Sequence, residues 1–185
     1  MFCCWDLQSL PLCVGRLTKL RVLNISYSWV EALPEDFWKQ QSLHFYNARH
    51  CSSLSRLPDS FGQLPNLDTL NLKSCGKLQR LHVSMGGLTK LRFLNISNSA
   101  WQPLPKYFGD LQTFVAFNGT DCSSLSRLPD SCSQLPNLET LDLTRSAELQ
   151  SLPISMGGLT KLRLLNISYL RVQALPKDFR ELQSL

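Results

Sequence analysis

SMGGLTKLRFLNIS, from Ser84 to Ser97, comes back at Ser155 to Ser168 as SMGGLTKLRLLNIS, and most of it already stands at Gly15 to Ser26 as GRLTKLRVLNIS. Leu17, Leu88 and Leu159 open the shared LTKL phrase and are equally spaced along the chain. A second phrase, CSSLSRLPDS, occurs unchanged at Cys51 to Ser60 and at Cys122 to Ser131, with the same offset between its copies. Both phrases thus return with a long period of about 71 residues, and self-similarity at a fixed period is the signature of a repeat architecture. In such an architecture chain length counts stacked coils and not the radius of one core.

Inside each block runs a shorter unit, anchored by Leu20, Leu43, Leu67, Leu91, Phe114, Leu138, Leu162 and Leu185 at steps of about 23 to 24 residues, three steps to the long period. Each unit reads LxxLxL, a short gap, another leucine, and then LPxxF or a variant. The L-x-L alternation is the period-2 pattern of a short strand with one buried face. Consecutive units repeat in the same direction with only about 20 residues between strands, so the strands must be parallel. Val14, Phe37, Phe61, Met85, Phe108, Cys132, Met156 and Phe179 form a second ladder, each at the same place after the leucine of LP. They are expected to fill the wedge between coils. Pro11, Pro34, Pro58, Pro105, Pro129, Pro153 and Pro176 share one frame position, with His82 in its place once, and proline stops a strand from continuing. Gly15, Gly62, Gly86, Gly109 and Gly157 follow the ladder residue and are expected to supply the positive φ of a return turn.

This unit resembles the leucine-rich repeat, a unit of about 20 to 29 residues that gives one strand plus a helix or 3₁₀ turn. The resemblance covers the whole chain. It implies an α/β fold: a horseshoe solenoid with a parallel sheet on the concave face and 3₁₀ or short helical turns on the convex one. At about 4.8 Å per strand the sheet is expected to run roughly 30 to 35 Å. Residues 1–185 are expected to form one domain: a partial repeat over 1–16, seven repeats over 17–181, and the start of another over 182–185. Half-units at both ends give the expectation that the chain is a piece of a longer protein.

Hydrophobic content of 43% excludes a disordered chain, and no run of about 18 apolar residues is present to span a bilayer. The start, MFCCWDLQSLPLCVGRL, lacks a basic opening, carries Asp6, and already follows the repeat grammar, so it reads as half a repeat and not as a leader. The net charge of +5 comes from bases interleaved with acids, which speaks for solubility and against a nucleic-acid surface. Seven cysteines, an odd number, in a chain whose start reads as half a repeat fit a reducing compartment with free thiols. Cys51, Cys75 and Cys122 occupy the frame position that Ser28, Ser99 and Ser146 fill in other units. That interchange predicts structural thiols that hydrogen-bond loop backbone. No CxxC pair exists, Cys3 and Cys4 are adjacent, and His44 and His50 are roughly 20 Å apart along an extended chain, so no metal site is expected. The motifs of P-loop, α/β-hydrolase, zincin and kinase chemistry are missing. No catalytic residue, no cofactor and no enzymatic activity are therefore expected.

A polar row crosses the outward strand face: Asn24, Asn47, Asn71, Asn95, Asn118, Asp142 and Asn166. The six asparagines are expected to form a structural ladder in which stacked amides bond one another. Asn24, Asn95, Asn118 and Asn166 also sit in N-x-S/T sequons, although three of these are copies of one duplicated phrase. Beside the row the outward residues vary by unit, and aromatic and arginine side chains there are the expected anchors of a protein partner. Phe45 and Phe93 lead that set, with Arg21, Tyr27, Arg92, Arg163 and Tyr169 beside them. Trp29 is expected at the rim, whereas Trp101 aligns with Val30 and Val172 and is expected to be buried.

Units such as LNLKSCGKLQRLHVSMGGLTKL, Leu70 to Leu91, look like the repeats of plant intracellular nucleotide-binding leucine-rich-repeat disease-resistance receptors. The resemblance implies a cytoplasmic sensor region whose partner is a pathogen effector, a guarded host protein or the receptor's own nucleotide-binding domain. These residues contain no nucleotide-binding motif, so ADP or ATP binding is not carried over. The GxIP pattern of plant extracellular receptors is missing as well. Two other readings remain open: a free-standing intracellular scaffold resembling Ras-group leucine-rich-repeat proteins, and a membrane-receptor ectodomain. Because each unit packs mainly on its neighbours, a chain ending before Leu88 is expected to be less stable than the whole. Equilibrium urea unfolding checks this; an unchanged free energy would contradict the stacked-coil picture.

Overall fold

The computed structural model describes residues 6–80 and 85–182, and the expectations placed on Cys3, Cys4, Leu81, His82 and Leu185 lie outside them. Seven three-residue strands form one sheet in chain order. They are β1 Val22–Asn24, β2 Phe45–Asn47, β3 Thr69–Asn71, β4 Phe93–Asn95, β5 Ala116–Asn118, β6 Thr140–Asp142 and β7 Leu164–Asn166. All six pairings are parallel and in phase: Leu23 faces Tyr46, Tyr46 faces Leu70, and so on to Leu141 with Leu165. The L-x-L pattern of each coil keeps that register although coil length varies by one residue, since a slip in pairing would turn every apolar side chain to the wrong face.

Each strand is short because the chain turns as soon as its ladder contacts are made. After β1, Ile25 N donates to Asn47 O at 2.8 Å and Tyr27 N to Arg49 O at 2.9 Å. Tyr27 then bends the chain with φ of 62°, and His50, Ser74, Asn98, Asp121, Arg145 and Tyr169 do the same in the other coils. None of these is glycine, and no glycine takes positive φ among the described residues. The expectation that Gly15, Gly62, Gly86, Gly109 and Gly157 supply left-handed backbone is therefore overturned.

Space explains the glycine instead. A Cβ on Gly109 would fall on the carbonyl oxygen of Ser131 in the next coil, and one on Gly15 would run into the Asp36 carboxylate. The turns that hold these residues are 3₁₀ segments on the convex side, among them Leu12–Arg16, Glu35–Lys39, Asp59–Gln63, Lys106–Asp110 and Asp130–Gln134. Each of these five starts after a proline held at φ between −58° and −66°, whose carbonyl accepts from the ladder residue, as in Phe61 N to Pro58 O at 2.8 Å. Proline thus launches the turn as well as ending the extended stretch.

Neighbouring turns are tied by polar side chains. Ser131 Oγ donates to Lys106 O at 2.6 Å and accepts from Gly109 N at 3.2 Å. Asp178 accepts from the Ser155 hydroxyl at 2.5 Å and from Gly157 N at 2.8 Å, and with Met156 N these donors hold its carboxyl down at about 2. A lowered carboxyl pKa favours the folded state above the ordinary carboxyl range, and the benefit is lost as pH falls toward 2.

The core lies between the strands and the convex ladder. Phe37, Phe61, Met85, Phe108 and Met156 are buried there, as are Cys132 and the inward strand residues Tyr46, Leu70, Leu94, Phe117 and Leu141. Large and small side chains compensate along the stack: Phe108, Phe114 and Phe117 crowd together at centroid distances of 5.3 to 6.4 Å, and the next ladder position is the small Cys132. Tyr46 stands where the other coils carry leucine or, at Phe117, phenylalanine, and its buried hydroxyl has no partner among the described residues. Trp101 is buried and Trp29 exposed.

Gly109→Ala should lower the unfolding free energy by about 2 to 4 kcal/mol, because backbone must move to admit the methyl group. A Cβ at Gly76 meets nothing within 4 Å, so Gly76→Ala serves as its control and should be near neutral. Urea titration of the two variants measures the difference.

Candidate functional site

Parallel in-phase pairing aligns the outward strand residues into rows. Val22, Phe45, Thr69, Phe93, Ala116, Thr140 and Leu164 form one row, in register across the whole sheet. No described element covers it: Val22 is 57% and Leu164 47% exposed, and the two phenylalanines are half-buried. The consequence is an apolar strip along the floor of the concave face.

Two residues along, the ladder Asn24, Asn47, Asn71, Asn95, Asn118, Asp142 and Asn166 lies in the same register. Its hydrogen bonds run differently from the expected amide stack. Each Oδ1 accepts from the backbone N–H two residues on in its own coil, at 3.0 to 3.2 Å from Ser26, Arg49, Lys73, Ser97, Thr120, Thr144 and Ser168. No amide-to-amide bond links one coil to the next among the described residues. The reason is geometric. The N–H groups one and three residues after the Asn reach the neighbouring coil, while the intervening one points away and would be left unpaired. A short carbonyl side chain meets that need, so Asp serves as well as Asn.

The flanks carry the charges. On one side lie Arg21, His44, Asp68, Arg92, Val115, Glu139 and Arg163, and on the other the left-handed residues from Tyr27 to Tyr169. Of the nominated contacts, Arg21, Arg92, Arg163 and Tyr169 are exposed and Tyr27 is half-buried. Several are preset by their neighbours. Tyr27 stacks on His50 at 4.7 Å, and the Arg49 guanidinium lies over the same ring at 5.3 Å and bonds its hydroxyl at 2.6 Å. Arg92 lies over Phe93 at 5.1 Å and pairs with Asp68 at 3.8 Å, and Arg145 covers Tyr169 at 5.6 Å. Burial and the cations Arg49 and Lys73 lower the pKa of His50. Arg49 and Arg145 were not among the nominated contacts. Their sequence signal is their place beside the tyrosine positions of adjacent coils.

The cysteine row faces the interior. Cys51 Sγ donates to Ile25 O at 3.0 Å, Cys75 Sγ to Ala48 O at 3.1 Å and Cys122 Sγ to Ile96 O at 3.3 Å. Ser146, in the equivalent place, donates to Gly119 O at 2.6 Å. Each side chain satisfies a carbonyl of the preceding coil. Burial pushes the Cys75, Cys122 and Cys132 thiols up from 9.0 to about 12. Among the described residues no group of three or more His, Cys, Asp or Glu side chains is placed to hold a metal ion. Nor is any described helix long and apolar enough to cross a membrane.

Neither a protein-family model nor a curated protein matches the sequence. Solved structures do match the fold. A leucine-rich-repeat protein of Leptospira interrogans superposes over 97% of this chain with a TM-score of 0.86 and 27% identity. The leucine-rich-repeat domain of the type III effector XopL superposes over 96% with a TM-score of 0.72 and 22% identity. The Arabidopsis receptor kinase HAESA, solved with the peptide hormone IDA and the co-receptor SERK1, covers 96% with a TM-score of 0.76 and 23% identity. This chain spans 45% of the Leptospira protein, 70% of the XopL domain and 30% of the HAESA chain. The fold is that of leucine-rich-repeat proteins, and the neighbours include a receptor kinase and an effector domain.

An acidic group whose pKa is raised on folding keeps the native state favoured below its unfolded value and costs stability above it. Unfolding free energy should therefore fall as pH rises from about 9 toward 12, where the unfolded chain ionises these thiols and the folded one does not. Iodoacetamide at pH 8 should leave Cys75 and Cys122 unmodified until urea is added. Rapid labelling of either in the native protein would contradict the buried placement.

Proposed function

We propose that this chain is a protein-recognition module, the ligand-sensing leucine-rich-repeat segment of an intracellular plant immune receptor. Its partner is then a pathogen effector, a guarded host protein or the receptor's own nucleotide-binding domain, met in the cytoplasm. The observation that carries the recognition role is the uncovered apolar strip from Val22 to Leu164 with preset aromatic and arginine side chains along its edges. A strip of this kind, apolar along the middle and polar at the rim, has the anatomy of a protein interface. The intracellular reading is supported by the repeat phrase around LNLKSCGKL and by interior thiols whose donor hydrogens are in use.

A second reading, an extracellular receptor ectodomain, draws on the sequons at Asn24, Asn95, Asn118 and Asn166. These asparagines lie on the groove floor with their side chains engaged in the turns, and a glycan there would stand in the binding face. The two readings separate experimentally. Proximity labelling from the chain in plant cytosol is expected to mark a partner that Phe45→Ala with Phe93→Ala fails to mark, each truncation weakening binding roughly tenfold. An identical set of labelled proteins from wild type and double variant would overturn the groove assignment. Partner binding confined to a secreted, glycan-bearing form would favour the ectodomain.

A further inference from the structure

The groove is uneven along its length, in size and in charge. Ala116 is the smallest residue of the apolar row and lies in register between Phe93 and Thr140. A concavity of about 380 Å³ runs over β3 to β7, with Thr69 and Leu164 toward its ends, Ala116 between them and Asp142 on its wall. Charge changes sign along the same axis. Toward β1 the flanking residues are Arg21, Arg49, Lys73 and Arg92, with Asp68 already paired to Arg92 at 3.8 Å. Around the niche stand three carboxylates, Asp121, Glu139 and Asp142, none of which forms an ion pair among the described residues; the exposed Arg163 follows Glu139 in the flanking row and leaves the acidic excess smaller than the basic excess toward β1.

Asp142 is the informative one. Six of seven coils place Asn at that point, and one acceptor oxygen is all the turn requires. In Asp142 that oxygen takes the Thr144 N–H at 3.0 Å and its hydroxyl at 2.6 Å. The second oxygen, where an Asn would carry a donor amide, makes no hydrogen bond to a described residue. The turn needs only the one acceptor oxygen, so the second oxygen of Asp142 leaves negative charge directed to the groove. Arg145 is turned onto the Tyr169 ring at 5.6 Å and does not neutralise it.

We propose that the groove from β4 to β7 takes an extended segment of a partner protein bearing an aliphatic side chain beside a lysine or arginine. The aliphatic group fills the niche over Ala116 and the cation meets Asp142, Glu139 and Asp121. Acidic residues of the segment run toward the basic flank of β1 to β4, which fixes its direction, since like charges opposed across an interface disfavour the reverse one. The proposal rests on the concave-face reading above and adds to it a partner chemistry and an orientation.

The test uses substitutions already present elsewhere in the solenoid. Asp142→Asn restores the residue of the other six coils and keeps the turn acceptor. Ala116→Phe copies the Phe45 and Phe93 positions of the same row. Both should unfold at wild-type urea concentrations. A phage-displayed library of short random peptides is panned on the wild-type chain, and the enriched peptides are resynthesised for fluorescence anisotropy.

The expected peptides pair an aliphatic residue with Lys or Arg. Asp142→Asn should weaken them about fivefold, as for one solvent-accessible ion pair. Ala116→Phe should weaken them roughly tenfold by closing the niche. Failure to enrich any peptide, enrichment without a basic residue, or undiminished binding to both variants overturns the proposal. Phe45→Ala with Phe93→Ala tells the two levels apart. If that pair weakens binding and the niche variants do not, the groove reading stands and the niche falls; if no variant matters, both fall.

Discussion

Backbone hydrogen bonding between coils in the same phase is the constraint on which the rest of this structure depends. A single coil has too little apolar surface to fold alone, so its neighbours must take up both its leucines and its amides. The strands meet that demand for three residues, and the bonds beyond them, such as Tyr27 N to Arg49 O, carry it into the turn. Whatever the outer loop does, it must return the chain to the same register one coil later.

Several oddities of composition follow from this. Non-glycine residues adopt left-handed backbone in all seven coils; in the first six the turn is held from both sides, by the Asx oxygen before it and by the donor to the next coil. Left-handed conformation costs about 1 kcal/mol or more for an L-residue, and a bond made only in that geometry offsets it. Holding these side chains at the edge of the sheet also presents them to solvent. A backbone requirement has thereby placed Tyr27, Arg145 and Tyr169 at the rim of the groove.

The interior tells a matching story. Carbonyls such as Ile25 O and Ala48 O, which already accept a backbone N–H of their own turn, take a second donor from the next coil, and Cys or Ser supplies it according to coil. A thiol in that role is buried and hard to ionise, which separates it from reactive cysteine chemistry. The outward row from Val22 to Leu164 carries no such duty. Freed from packing, Phe45, Phe93 and Ala116 differ from coil to coil more widely than the large apolar residues of the inward row, and differences of that kind are what a partner can read.

How much of this was legible beforehand depends on whether a residue answers to its own coil or to the next. Leucine spacing, the LP turns, the Phe and Met ladder and the concave row could be read from the string, because periodicity records which side of a strand or turn faces inward. The parallel seven-stranded sheet follows from the same count. Tertiary structure alone decided the rest. That Gly109 is needed for the carbonyl of Ser131, and not for its own φ, is a fact about a residue in the following coil. That the Asn row bonds along the chain depends on which amides the stacked coil leaves unpaired. A one-dimensional repeat fixes what each coil contains, whereas contact between coils fixes which of its atoms are already spoken for and which still face the groove.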